Sequence, residues 1–378
     1  MSHGRNAGTH DDAKPRAAQA DGRTMKSMNA TSPTVPAASA PRTELPVIDL
    51  SQARAADGSF NVDFLDQLRD AAHHVGFFQL VGFGAGKHQA QELLDTVAAF
   101  FKRPLEERLE LDNRLTSTFR GYTRLGAERT QGRADSREQI DFGPARAPFE
   151  EVPAGQEYLR LQGGNLFPAA FPELEEKAMA WAALMSSVGA ELLAALLAAI
   201  GLPEDHFAAA FERDPMWMGK LVHYVGGDAV PGAGTQGVGA HADYGCVTLL
   251  LQDAVGGLEV QPHGQLEWID VPPIPGALVV NLGEMLEVAT DGYLMATIHR
   301  VTAPPAGVDR YSVPFFWAPR LDAVVEAVEL PAAYPADARG VSDDPNNPLL
   351  SVYGANMLKG FLRAHPEVAA RHYPELVG

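Results

Sequence analysis

From about residue 218 to residue 319, glycine, proline and aspartate cut the chain into short apolar runs, and this punctuation constrains the fold more than any other feature. The runs are GKLVHYV, GCVTLLLQD, GLEVQP, QLEWIDV, GALVVNLG, YLMATIHRVTA and DRYSVPFFWAP. They are short, rich in β-branched and aromatic residues and bounded by turn formers, which is the signature of strands. Seven strands within about 100 residues predict two facing antiparallel sheets, a sandwich or jelly roll.

The preceding region is mixed. LPVIDL (45–50) reads as a short strand, 62–76 as a helix by its apolar spacing, and GFFQLVGFG (76–84) as a buried strand closed by glycines. A second helix is expected from about Lys87 to Lys102. The polar, Gly-rich stretch 114–143 is expected as an exposed loop region ending in a strand. Residues 172–201 form the clearest helix, opened by acids and closed by Gly201, and are expected to lie on the core as a scaffold. The segment 351–371 reads as helical and packed on the outside. Residues 1–42 hold almost no large apolar side chains and are expected to be disordered, with Met25 or Met28 as alternative starts. No apolar stretch follows their basic residues, as a secretory signal would require.

Charge excludes some functions. Lys+Arg total 30 against 48 Asp+Glu, a formal net charge of -18, which repels a phosphate backbone and argues against nucleic-acid binding. No run of 18 apolar residues occurs, so no membrane span is expected. A single cysteine, Cys246, excludes a disulfide framework and a cysteine-based zinc site, in keeping with a cytoplasmic setting. Cys246 is expected to be a buried small apolar residue rather than a ligand. The oligomeric state is open.

The chemistry resides in the β-region. With 12 His and 48 acids in 378 residues, chance predicts about 1.5 His-x-acid pairs, and three occur. His10/Asp12 lies in the tail, and His365/Glu367 has little chain after it. His241/Asp243 sits beside a strand, where residues i and i+2 point to the same face. His299 follows on another expected strand. Two imidazoles and one carboxylate make a facial triad with open positions, the pattern of non-haem Fe(II) oxygenases, whereas the HExxH helix of zinc hydrolases is absent. The alternative for His299 is a core histidine with its hydrogen bonds satisfied. Arg310 lies in the apolar run RYSVPFFW, where a guanidinium is costly to bury without an anion; with the nearby Ser312 hydroxyl it suits a carboxylate.

The series HAD, HRV and RYS resembles the iron(II)/2-oxoglutarate-dependent oxygenases, in the isopenicillin N synthase-like branch. LPVIDLS, HHVGFFQLVGFG, RGYTRLGAERT, REQIDFG and VNLGEMLEVATDGYLMATIHRV are similar to further segments of that branch, so the likeness covers nearly everything after residue 44. It implies a mainly β fold with flanking helices: a double-stranded β-helix (jelly-roll) core over 216–320, an N-terminal mixed α/β region over 43–215 packed against it, and a C-terminal extension and helix over 321–378.

The resemblance further implies that His241, Asp243 and His299 hold Fe(II), and that Arg310 and Ser312 bind the far carboxylate of 2-oxoglutarate. Tyr224 matches a tyrosine that contacts this cosubstrate, although Val222 and Val225 stand where that motif has Asn and Pro. His223 either faces the pocket or points outward. Phe315, Phe316 and Trp317 either shield the site or pack the barrel. The implied reaction consumes O2, oxidises a small molecule by hydroxylation, desaturation or ring formation, and releases succinate and CO2. Three alternatives stand beside it: a 2-oxoglutarate-independent oxidase like isopenicillin N synthase, an ethylene/succinate-forming enzyme, and a non-catalytic ligand-binding jelly roll.

Overall fold

The structure, a computed structural model, describes residues 44–332, 334, 337–341 and 347–377, and these belong to one compact unit. The tail expected to be disordered lies outside the described residues. In chain order the elements begin with β1 (Val47–Asp49), α1 (Val62–His74), β2 (Phe77–Val81), α2 (Lys87–Phe101), α3 (Leu105–Leu109) and β3 (Gly121–Thr123). There follow β4 (Arg129–Thr130), β5 (Arg133–Ala134), β6 (Arg137–Phe142), α4 (Pro172–Ala199), α5 (Ala208–Phe211) and β7 (Met216–Val225). The β-rich part continues with β8 (Gln236–His241), β9 (Val247–Gln252), β10 (Leu258–Gln261), β11 (Ile269–Asp270) and β12 (Leu278–Leu282). It closes with α6 (Glu284–Ala289), β13 (Ile298–Thr302), β14 (Asp309–Ala318), α7 (Tyr353–Ala364) and α8 (Pro366–His372).

Two sheets carry the site. The larger has the order β1-β2-β12-β9-β14-β7-β6-β3, and the smaller β11-β10-β13-β8. Strands of the N-terminal region therefore extend both edges of the larger sheet. Val222, Tyr224 and Val279 of the larger sheet pack with Val238, Leu258, Val260 and Val301 of the smaller, forming the core of a jelly roll. The outer face of the larger sheet is covered by α1, α2 and α4, through residues such as Leu68, Val97 and Leu192. α4 starts with Pro172 and two glutamates, and Gly201 just beyond its end has φ +77, which glycine takes without strain. By length and composition α4 could cross a bilayer, but 56% of that window is buried inside the fold, as befits a core helix.

The turn from α1 into β2 depends on Gly76. Its φ is +69, and an added Cβ would lie 2.3 Å from the Met295 carbonyl oxygen and 2.6 Å from Thr297 Oγ1. Gly76→Ala is expected to destabilise the protein by about 3 kcal/mol, read from the urea midpoint.

The structure corrects several expectations. β8 is absent from the apolar runs, because close approach requires glycines there: a Cβ on Gly237 would lie 3.0 Å from Val301 O and 3.1 Å from Tyr224 Cδ1. QLEWIDV yields only the two-residue β11, and in YLMATIHRVTA only Ile298–Thr302 is strand. The stretch 114–143 is not an exposed loop region. Phe119–Thr123 and Asp135–Phe142 are buried, and their polar side chains pair with one another and with β7. Nor do the C-terminal helices pack only on the outside, since Phe361 stacks on Phe119 and His365 is buried.

Candidate active site

β8 and β13 are neighbours, and their register sets His241 opposite His299. The two rings lie 4.3 Å apart, centroid to centroid. Asp243, two residues past the end of β8, brings Oδ1 to 3.6 Å from His241 Nε2 and 3.9 Å from His299 Nε2. One ligand atom from each of the three residues falls within 4.8 Å of the others. The chain thus folds the three sequence-predicted ligands into one cluster.

The surroundings orient these atoms. His241 Nδ1 lies 2.9 Å from the Gly239 carbonyl and His299 Nδ1 3.1 Å from the Thr297 carbonyl. A carbonyl only accepts, so each neutral ring carries its proton on Nδ1 and leaves the Nε2 lone pair free for a metal. Asp243 Oδ2 accepts from Thr248 Oγ1 at 2.6 Å and Asn281 Nδ2 at 2.7 Å. Oδ1 is left to face the imidazoles. Burial pushes the Asp243 pKa up, but the two histidines, Asn281 and Thr248 outweigh it and hold the carboxyl below its usual range. Burial, then the neighbouring His241, pushes His299 down to about 4, so its imidazole is neutral near pH 7. The Phe77 ring meets His299 edge-on at 5.1 Å and closes one side.

The inner face of the larger sheet supplies the other half. On β14, Arg310 and Ser312 are i and i+2 and share this face, with Tyr224 of β7 opposite Arg310. Arg310 is fully buried, its Cζ 4.6 Å from the Tyr224 ring centre. Nη2 donates to Gln252 Oε1 at 3.0 Å. Arg310 Nε and Nη1, Ser312 Oγ and Gln252 Nε2 are buried without a hydrogen-bond partner among the described residues. Orphaned buried donors around a guanidinium are costly unless a ligand meets them, and a carboxylate fits this set. The strand register steps from Arg310 and Ser312 to Phe316, whose cross-strand neighbour Thr248 holds Asp243. A short dicarboxylic acid can therefore lie between the guanidinium and the His/Asp/His cluster.

Other expected residues fall elsewhere. His223 points to the outer face, where Nδ1 lies 2.9 Å from Glu138 Oε1 and the ring stacks on Tyr311. Phe315 stacks on Trp217 and Trp317 on Phe211, so both pack the outer layer. Phe316 shares the inner face with Arg310 and Ser312. Cys246 is a buried thiol pushed up to about 12 by desolvation and joins the hydrophobic core. Asn281, Thr248 and Gln252 were missed from the sequence. A lone Asn inside VVNL was the available signal, because buried polar groups in strands need partners.

The geometry agrees with comparisons to known proteins. The 2OG-Fe(II) oxygenase superfamily model matches residues 219–319, and the N-terminal model of the non-haem dioxygenase in morphine synthesis matches residues 45–170. A 2-oxoglutarate-dependent dioxygenase of Dothideomycetidae sp. (strain 11243) is 32% identical over 356 residues, covering 88% of this chain and 93% of its own. A homoarginine-6-hydroxylase of Oryza sativa subsp. japonica is 32% identical over 295 residues, covering 75% of this chain and 88% of its own. The crystal structure of a 2OG-Fe(II) oxygenase family protein from Caulobacter crescentus superposes with a TM-score of 0.66 at 25% identity, covering 84% of this chain and 98% of that one. With a relative so similar over nearly its whole length, the chain belongs to the iron(II)/2-oxoglutarate-dependent oxygenase superfamily, as a dioxygenase that acts on a small molecule.

Proposed function

We propose that His241, Asp243 and His299 hold the ferrous ion, and that Arg310, Ser312 and Tyr224 seat the far carboxylate of 2-oxoglutarate. The observation that carries this reading is the pairing of a three-residue ligand cluster with a buried guanidinium whose Nε and Nη1 have no hydrogen-bond partner among the described residues. With iron and 2-oxoglutarate bound, the centre uses O2 to convert 2-oxoglutarate to succinate and CO2 and to oxidise a C–H bond of the small molecule.

The chain's own residues do the positioning. The Gly239 and Thr297 carbonyls fix the two imidazole tautomers, so both Nε2 lone pairs would be free to hold the ferrous ion. Thr248 and Asn281 occupy Asp243 Oδ2, so Oδ1 would be the oxygen that holds the ferrous ion. Arg310 offers two N–H groups and Ser312 a hydroxyl, which set the reach and angle of the dicarboxylate. The Tyr224 face stabilises the guanidinium by a cation–π contact. Val222, Val260, Val279 and Val301 pack with Tyr224 as a buried apolar cluster between the sheets.

The test is anaerobic addition of Fe(II) and 2-oxoglutarate to the purified protein. A visible metal-to-ligand charge-transfer band is expected, followed on exposure to air by succinate formation that rises when a true substrate is added. A featureless visible spectrum would remove the cosubstrate assignment.

A further inference from the structure

Asp243 and the residues after it are gripped from two sides. On one side, the start of α6 holds the backbone: Glu284 N–H donates to the Asp243 carbonyl at 2.8 Å and Gly283 N–H to the Cys246 carbonyl at 2.9 Å. On the other side stands α7, to which the reaction above gives no part. Tyr244 follows Asp243 directly, and its half-buried ring lies on Gly360 of α7. A Cβ on Gly360 would sit 2.8 Å from Tyr244 Cε2 and 3.5 Å from Cδ2. Glycine inside a helix is less stable than alanine, so its place here is explained by this close approach.

The same stripe of α7 fixes the ring in other directions. Asn356, Lys359, Gly360 and Arg363 are i, i+3, i+4 and i+7, one face of the helix. Lys359 Nζ lies 5.4 Å from the Tyr244 ring centre. Asn347 Nδ2 donates to the Tyr244 hydroxyl at 3.1 Å, and Arg363 Nη1 donates to Asn347 Oδ1 at 2.7 Å. Lys359 Nζ donates to the Pro348 carbonyl at 2.6 Å, and Asn356 Oδ1 accepts from Leu350 N–H at 2.9 Å, so the residues just after Asn347 are held by the stripe too. The first turn of α7 also lies near the ligand: burial pushes the Tyr353 phenol up, and the neighbouring Cys246 and Asp243 add to it.

Magnitude decides what this contact can do. Carbon atoms in ordinary contact stand about 3.5 Å or more apart, so a side chain at position 360 would drive the ring back by roughly 0.7 Å. Metal–ligand distances hold within about 0.2 Å. One peptide bond joins Tyr244 to Asp243, and the loop cannot retreat toward α6, where a Cβ on Gly283 would already lie 2.0 Å from the Gly245 carbonyl oxygen. We propose that α7 is part of the metal site: through the Gly360–Tyr244 contact it sets the position of Asp243, which makes Tyr244 and Gly360 positioning residues for the ferrous ion. The proposal rests on the assignment of that ion to His241, Asp243 and His299. Linkage makes the effect mutual: what α7 contributes to iron binding, iron contributes to the docking of α7.

The test uses the full chain under anaerobic conditions with Fe(II) alone. Affinity is measured by equilibrium dialysis, and amide hydrogen exchange of α7 is followed with and without the metal. Gly360→Leu is expected to weaken Fe(II) binding by about tenfold or more, the scale of groups that orient metal ligands. Leucine favours a helix more than glycine does, so helix propensity cannot explain the loss. Tyr244→Ala should weaken binding by a smaller factor. The double variant should bind no more weakly than Tyr244→Ala alone, because no ring remains to be pushed. In the wild-type protein, Fe(II) should slow exchange over Tyr353–Ala364, and Tyr244→Ala should remove that difference. Full Fe(II) affinity in a folded Gly360→Leu protein overturns the proposal. So does a loss that persists in full on the Tyr244→Ala background. If Gly360→Leu does not fold, the exchange comparison decides alone, and no slowing of α7 by Fe(II) overturns the proposal. If the wild-type protein and His241→Ala bind Fe(II) alike, the underlying ligand assignment fails instead, so the two failures are distinguishable.

Discussion

His241→Ala is expected to cut iron-dependent succinate formation by at least about 1,000-fold, ~4 kcal/mol of lost transition-state stabilisation, while the fold survives. The reasons are local. The His241 side chain keeps 34% of its surface exposed, and its ring has one hydrogen bond, to the Gly239 carbonyl. Its removal therefore costs little packing, about 1 kcal/mol or less. It does remove one of three donors from a cluster whose ligand atoms lie within 4.8 Å of one another. Asp243→Ala should be as inactive but less informative, because it also strands the Asn281 and Thr248 donors in the core. The measurement is succinate release at saturating Fe(II), beside a thermal melt of the same sample. Turnover near the wild-type rate in a folded His241→Ala protein would show that the metal is held elsewhere.

Arg310→Leu should act in two opposite directions. Affinity for 2-oxoglutarate is expected to fall by about 100- to 10,000-fold, since two charge-assisted hydrogen bonds worth roughly 1.5–3 kcal/mol each are lost. Stability without cosubstrate is expected to hold or rise. The guanidinium is fully buried, Nε and Nη1 have no hydrogen-bond partner among the described residues, and a leucine removes the cost of dehydrating them. Titration of the anaerobic charge-transfer band reads the affinity, and urea unfolding of the apoprotein reads the stability. A purely structural arginine would give the reverse: unchanged affinity and a loss of stability. Reversed signs would move the cosubstrate carboxylate to another residue.

The legible part of the fold and the site was the part written in short-range periodicity. Residues i and i+2 on a strand share a face whatever the topology, so Arg310 with Ser312 could be read together. Helices α1 and α4 were legible because an apolar stripe, acids in the first turn and a closing glycine are local signals. His299 was legible as a candidate third ligand on another expected strand, and the resemblance then assigned it to the pair 58 residues earlier, a distance that periodicity does not span. β8 was hidden for a physical reason: close packing of Gly237 against Tyr224 and Val301 replaces the apolar side chains that would mark a strand.

Cross-strand neighbours were not legible. Asn281 reaches Asp243 because β12 lies beside β9 in the sheet, and Thr248 pairs with Asn281 in that register. Gln252 meets Arg310 for the same kind of reason, since β14 lies against β9. The stretch 114–143 read as exposed because it is polar and glycine-rich. Only the pairing of β6 with β7 shows that Arg137, Gln139 and Asp141 face inward, where Lys220 and Glu128 meet two of them. By itself, then, the sequence determined which side chains could serve the chemistry and which face of its own strand each would share. The tertiary structure decided which of them meet, because strand order and register are set by packing the whole core, and no local pattern encodes that.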